Sequence, residues 1–184
     1  MLRIIGGTAR GIRIEAPSTD KTRPTLDRVK ESVFNILMPY LPDAKVLDLF
    51  SGSGNLGIEA LSRGASKSVF VDQSRFCTNI IRKNLEKVKF IDRASILTMT
   101  AERAVSLLAG KGEKFDIIFL DPPYNMKFLT KTLQLLNDFD IINKDGIIAC
   151  EHQKDEIAPD ELGRFVKVKS RSYGDTVYSF YELT

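Results

Sequence analysis

Phe115-Asp116-Ile117-Ile118-Phe119-Leu120-Asp121-Pro122-Pro123-Tyr124 is the stretch whose reading decides the fold. A continuous apolar run rich in isoleucine and phenylalanine reads as a strand buried on both faces, the kind found inside parallel sheets. Asp121 then emerges at the carboxyl end of that strand, where open α/β sheets bind their ligands. Each proline removes a backbone N–H, fixes its own φ and restricts the residue before it, so Asp121 and Pro122 are held extended. A carboxylate and a fixed carbonyl together suit an exocyclic amino group, whose two N–H donors they can bind. Tyr124 offers a face on which a planar base can stack. The plainer reading is a strand ended by Pro-Pro with Tyr124 as packing, and the tetrapeptide alone leaves both open.

Working outward from this strand, β-like and helical patterns alternate. Val46–Phe50 reads as a strand, followed by a helix carrying Leu56, Ile58, Ala60 and Leu61. Ser68–Asp72 and Ala94–Met99 are further strands, with helices over Ser74–Lys87 and Ala101–Ala109. A helix over Lys127–Asn137 follows the central strand, and Ile147–Glu151 is the fifth strand. Strands alternating with amphipathic helices predict a parallel sheet with right-handed crossovers. Phe165–Tyr173 and Thr176–Leu183, joined by Gly174-Asp175, predict a closing antiparallel hairpin with a type II′ turn. The expectation is an α/β fold with a seven-stranded, mostly parallel sheet.

Upstream, Leu2–Ile5 and Gly11–Ile14 flank a glycine-rich turn and read as a β-hairpin, with Arg3 and Arg13 on one side of it. Thr25 is a plausible N-cap for a helix running to about Met38 and ended by Pro39. Val29, Val33, Ile36 and Leu37 mark its buried face, with Arg28 and Lys30 off that face. Residues 1–24 therefore read as a basic extension and connector, and 25–184 as the α/β domain.

The chain has 184 residues and a net charge of +3, ordinary for one globular domain. The charge is uneven: residues 1–30 hold seven basic side chains against three acidic ones, and the remainder sums to −1. A basic segment on a nearly neutral body predicts a polyanionic partner, with arginines guarding an edge strand as the alternative. Two cysteines, Cys77 and Cys150, and one histidine, His152, give neither a disulfide framework nor a metal cluster, so no metal is expected. His152 reads as a solvated residue at a strand end. No apolar leader follows Met1 and no run approaches a membrane span, which predicts a cytoplasmic protein that does not engage a membrane.

After the first strand, Gly52-Ser53-Gly54-Asn55-Leu56-Gly57 is a literal G-x-G-x-x-G opening a helix. Twenty residues beyond Gly52, Asp72 ends the second strand, where an acidic side chain can accept from both hydroxyls of a ribose. An adenosine-containing cofactor is implied, and the loop fits a nicotinamide dinucleotide as readily as S-adenosylmethionine. Three features tilt the choice. Asp48 would repel a pyrophosphate but suits the ammonium of a methionine moiety. Asp121 stands beside the same crevice, and no hydride-transfer partner such as Tyr-x-x-x-Lys is evident.

Asp48-Leu49-Phe50-Ser51-Gly52-Ser53-Gly54, with Val71-Asp72 and Asp121-Pro122-Pro123-Tyr124, resembles a class I S-adenosylmethionine-dependent methyltransferase of Rossmann-like fold acting on an exocyclic amine. Three further stretches, Arg3-Ile4-Ile5-Gly6-Gly7, the segment from Arg23-Pro24-Thr25 to Glu31, and Gly57-Ile58-Glu59 through Gly64-Ala65, resemble the bacterial RsmD family. That resemblance implies transfer of a methyl group to N2 of guanine 966 in 16S ribosomal RNA, within a small subunit or its assembly intermediate. It implies that Asp48, Phe50, Gly52 and Gly54 line the methionine end of S-adenosyl-L-methionine. Asp72 and Gln73 would hold the ribose side, Thr100 and Ala101 would lie by the adenine, and Asp121, Pro122 and Tyr124 would receive the base. Thr100 departs from the Asp or Asn usual there, and a helix cap is the favoured role for it. Arg3, Arg10, Arg13, Arg23, Arg28 and Lys30 are the expected phosphate contacts. The rivals are an amine methyltransferase of DNA or protein, a non-catalytic RNA-binding assembly factor, and a Rossmann oxidoreductase.

Overall fold

The run Phe115–Leu120 is the strand β6, and it lies near the middle of the sheet with all but Asp116 buried. Burying a side chain of this size contributes about 1.5–3 kcal/mol, so β6 anchors the packing on both faces. Asp116 is tolerated because its carboxylate accepts from the Lys45 backbone N–H (2.8 Å) and the Asn143 side-chain amide (2.7 Å). The computed structural model describes residues 1–17, 24–123 and 128–184.

Among the described residues, β1 (Leu2–Arg3) and β2 (Arg13–Ile14) form a separate two-stranded ribbon. Helix α1 (Pro24–Leu37) follows, then β3 (Lys45–Asp48), α2 (Asn55–Ser62), β4 (Lys67–Asp72) and α3 (Arg75–Lys87). After β5 (Ala94–Thr98) and α4 (Ala101–Gly110), β6 leads to α5 (Phe128–Asp138). The chain ends in β7 (Ile142–Gln153), β8 (Glu161–Leu162), β9 (Phe165–Tyr173) and β10 (Thr176–Leu183). The main sheet has the order β5-β4-β3-β6-β7-β10-β9-β8, parallel from β5 to β7 and antiparallel beyond. This is the Rossmann-like methyltransferase architecture expected, with the two-residue β8 added at one edge.

Alternation along the strands sorts the core into two layers. Val46, Phe70, Ile117, Phe119, Ile147 and Ala149 face α1, α2 and α3, whereas Leu47, Leu49, Val71, Ile118 and Leu120 face α4 and α5. The ribbon is built into the first layer, because Ile4, Ala9 and Ile14 belong to the same buried cluster as Phe34 and Ile58. Its turn docks on the end of α2: Thr8 donates its backbone N–H to the Ser62 carbonyl (2.8 Å), and Ala9 donates to Ser62 Oγ (2.9 Å). Gly7, at φ 75°, passes so close to that carbonyl that a Cβ would collide with it.

Several details differ from the sequence reading. Helix α1 begins at Pro24, so Thr25 lies inside its first turn; a proline suits a first helical position, where its missing N–H has no partner to lose. Strand β7 starts five residues before Ile147, and a register shift between Phe115 and Ile117 absorbs the turn-like residues 143–146. His152 is buried within β7, hydrogen-bonded to Ser179 Oγ (2.9 Å) and to the Gln153 carbonyl (2.9 Å), rather than solvated. The closing hairpin has the predicted two-residue loop: Gly174 is at φ 63° and Asp175 is not left-handed, as a type II′ turn requires.

Candidate active site

The strand order reverses direction between β3 and β6, and the crevice over their carboxyl ends is where an open α/β sheet binds ligand. Register sets the heights there. Asp48 pairs with Phe70 on one side and Phe119 on the other, so Asp72 and Asp121, each two residues further on, stand level on either side of Phe50. The sheet therefore brings Asp48, Phe50, Asp72 and Asp121 to one rim. Asp121 is half-buried, Pro122 is buried and Pro123 is exposed. Tyr124 lies outside the described residues, as does Arg23.

The loop between β3 and α2 is shaped from within. Ser51 Oγ donates to the Asp48 carbonyl (2.7 Å) and accepts from the Val71 backbone N–H (3.0 Å), tying the loop to β4. Gly52 and Gly54 take φ values of 55° and 80°, a region that costs a side chain energy, and the Cβ direction of Gly52 meets open space. The third glycine has a different task. A Cβ on Gly57 would collide with the Phe70 ring, so this residue sets how closely α2 packs on β4.

Asp48 is 1% exposed, and its two oxygens are treated unequally. Oδ2 accepts the Gly57 backbone N–H (3.1 Å), while Oδ1 is buried with no hydrogen-bond partner. Burial raises its pKa from 3.8 to about 7; the Gly57 hydrogen bond opposes this and the nearby Asp72 charge adds to it. An orphaned buried carboxylate oxygen beside an open glycine turn fits a cationic group such as an amino-acid ammonium. Asp72 is arranged otherwise: Oδ2 accepts from Gly52 N–H (3.0 Å) and Oδ1 from Ser74 N–H (2.8 Å). Each oxygen has one backbone donor and a remaining lone pair, which suits a vicinal diol. Gln73 is exposed beside it. Thr100 caps α4 by accepting from the Arg103 N–H (3.4 Å), and Ala101 starts that helix at 9% exposure.

The expected phosphate contacts separate. Arg10, Arg13 and Arg28 are exposed, and Arg3, also exposed, pairs with Asp27 at 2.7 Å. Lys30 requires correction: it is only 6% exposed, because its ammonium turns inward to Glu59 (2.8 Å), the Arg3 carbonyl (2.6 Å) and Asn55 Oδ1 (2.8 Å). Desolvation lowers its pKa despite the Glu59 carboxylate, and it presents no charge to a phosphate. Glu59, fully buried on α2, also accepts from Ile5 and Gly6 backbone N–H groups and from Arg63 Nε. Sequence reasoning assigned no role to Ser51, Glu59 or Asn84. Asn84, buried on α3, donates to the Ser53 and Glu15 carbonyls (both 2.9 Å) and accepts the Glu15 N–H (2.7 Å). The one available signal was a glutamate set among the apolar positions of α2.

Known proteins resemble this chain over nearly its whole length. The model of the family described as Conserved hypothetical protein 95 matches residues 2–182. YlbH of Bacillus subtilis is 38% identical over 181 residues, covering 98% of each chain. Ribosomal RNA small subunit methyltransferase D of Escherichia coli K12 is 35% identical over 181 residues, covering 98% of this chain and 89% of that one. The solved structure of yhhF from Escherichia coli superposes with a TM-score of 0.83 at 35% identity, covering 99% of this chain and 97% of that one. Matched over nearly its whole length, and with relatives this close, the chain belongs to the Conserved hypothetical protein 95 family, which is the RsmD family its motifs resemble.

Proposed function

We propose that this protein transfers a methyl group from S-adenosyl-L-methionine to the exocyclic N2 of a guanine in small-subunit 16S ribosomal RNA, guanine 966 in the family's numbering. One observation carries the reading: an unpartnered, buried carboxylate oxygen of Asp48 beside the glycine turn, with Asp121 at the same rim one strand away. The name of the Escherichia coli relative supports the RNA substrate.

Asp48 would hold the ammonium of the cofactor, the Gly52–Gly54 backbone its methionine chain, and Asp72 its ribose hydroxyls. When bound, the cofactor supplies an electrophilic methyl carbon. The protein's own task is to present the nitrogen. A guanine N2 is a poor nucleophile because its lone pair is delocalised into the ring. The Asp121 carboxylate and the Pro122 carbonyl would accept its two hydrogens, favour a pyramidal nitrogen and offset the positive charge that grows on it. A base inside paired or stacked RNA cannot reach such a crevice, so the target must be looped or flipped out, with Tyr124 as its stacking partner. Arg10, Arg13 and Arg28 would hold phosphates without reading sequence.

The test is incubation with isotopically labelled S-adenosyl-L-methionine and unmodified small ribosomal subunits, followed by nuclease mapping and mass spectrometry. Label confined to N2 of one guanine supports the reading. Label on an adenine or cytosine amine, on protein, or on nothing while the cofactor still binds, removes it.

A further inference from the structure

The second basic element of this chain lies away from its amino-terminal ribbon. Residues 75–89 carry Arg75, Arg82, Lys83, Lys87 and Lys89 against Glu86, a net +4 within a chain whose total is +3. On α3, Arg75, Asn79 and Arg82 fall at i, i+4 and i+7 and so form one exposed row. Together with Thr78, Ile96 and Thr98 they line an open groove between α3 and β5, the strand at the sheet's edge. Among the described residues neither arginine forms an ion pair, even though Glu86 lies one turn beyond Arg82. Phe76, beside Arg75, is 60% exposed and so presents an aromatic face on which a base can stack.

The position of the groove gives it a purpose. Thr98 pairs with Asp72 in the β4–β5 register, so the groove opens at the carboxyl end of the sheet, the end that carries the crevice. From β6 to β5 is three interstrand spacings, about 14 Å, within the reach of a short single-stranded segment whose flipped base sits at Asp121.

The geometry points to the α3–β5 groove as a second binding site for RNA backbone phosphates, with Arg75 and Arg82 as its cations and the neighbouring Phe76 as a stacking platform. This rests on the RNA-methyltransferase reading above and adds to it a surface that holds RNA flanking the target base. It acts by position and charge, and it takes no part in methyl transfer.

The experiment compares the wild type with an Arg75→Gln/Arg82→Gln double variant and, as a control of equal charge loss, with Lys111→Gln/Lys144→Gln. Lys111 and Lys144 are exposed at the opposite end of the sheet. Affinity for labelled, unmodified small ribosomal subunits is measured against salt, and S-adenosyl-L-methionine binding is measured by calorimetry. The groove variant should bind RNA about tenfold more weakly, with a log–log salt slope shallower by about 1.4, from ~0.7 per lost single-strand phosphate contact. Its KM for RNA should rise with kcat and cofactor affinity unchanged, while the control matches the wild type. An unchanged slope and affinity, or an equal loss in the control, overturns the groove and leaves the enzymatic reading standing. A wild type that takes up cofactor but retains no subunit overturns both.

Discussion

Replacing Asp48 by Asn isolates the electrostatic cost of keeping a carboxylate under the glycine turn. Burial lifts the Asp48 pKa from 3.8 to about 7, so between those values the folded chain retains a proton that the unfolded chain has released. Stability contributed by this site is therefore greatest below the unfolded pKa, falls as pH rises toward the folded one, and is level above it. At ~1.36 kcal/mol per unit, the loss between about pH 4 and about pH 8 approaches roughly 4 kcal/mol. In Asp48→Asn the amide oxygen still accepts the Gly57 N–H, and nothing titrates. Urea denaturation of both proteins at steps across that range reads the difference directly, because every other ionisable group is common to the two. The variant's advantage should widen by up to about 4 kcal/mol with rising pH. Cofactor binding should move the other way: losing a charge-assisted hydrogen bond of ~1.5–3 kcal/mol weakens S-adenosyl-L-methionine about 10–100-fold at pH 8. A stability gap that stays flat or narrows with rising pH would refute the claim that this carboxylate is held at a desolvation cost.

Other substitutions address neighbouring claims. Asp121→Ala should lower methyl transfer at least about a hundredfold, on the scale of removing one preorganised transition-state acceptor, while calorimetry still detects cofactor binding; retained turnover would remove Asp121 from the mechanism. Glu59→Gln leaves the Lys30 and Arg63 cations without their carboxylate, a loss of about 3–5 kcal/mol in denaturant unfolding, and an effect under about 1 kcal/mol would mean the network is solvated. Gly57→Ala forces α2 away from the Phe70 ring and should cost about 1–3 kcal/mol, or a melting temperature lower by several degrees, whereas an unshifted melt would show that the helix has room to give.

The parts of the fold that were legible are those in which one chemical signal dominates. The apolar run into Asp121 placed the central strand, and G-x-G-x-x-G after Val46–Phe50 placed the turn into α2, because buried strands and left-handed glycines leave unambiguous patterns. Gly174-Asp175 set the closing hairpin for the same reason. Lys30 was misread because helical periodicity ranks a position by its own side chain, and its burial depends on Glu59, 29 residues away on another helix. His152 failed likewise, its ring being satisfied by Ser179 on a strand that only the fold brings alongside. The start of β7 was hidden because Asn143-Lys144-Asp145-Gly146 has the composition of a turn, and β8 spans only two residues. At the site, the residues of the rim were readable from motif spacing, but the unequal surroundings of the two Asp48 oxygens arise from tertiary packing and have no signature along the chain.

The placement of β10 has a consequence for how the protein is made. It separates β7 from β9, although it follows both in the chain. Until β10 is in place, the β7 border is bare and β9 is held only by the two-residue β8. Such a border invites pairing with another nascent copy. The gap closes when Thr176–Leu183 pairs with β9 across their two-residue turn and with β7 on its other side, and until it does the bare border makes folding sensitive to protein concentration.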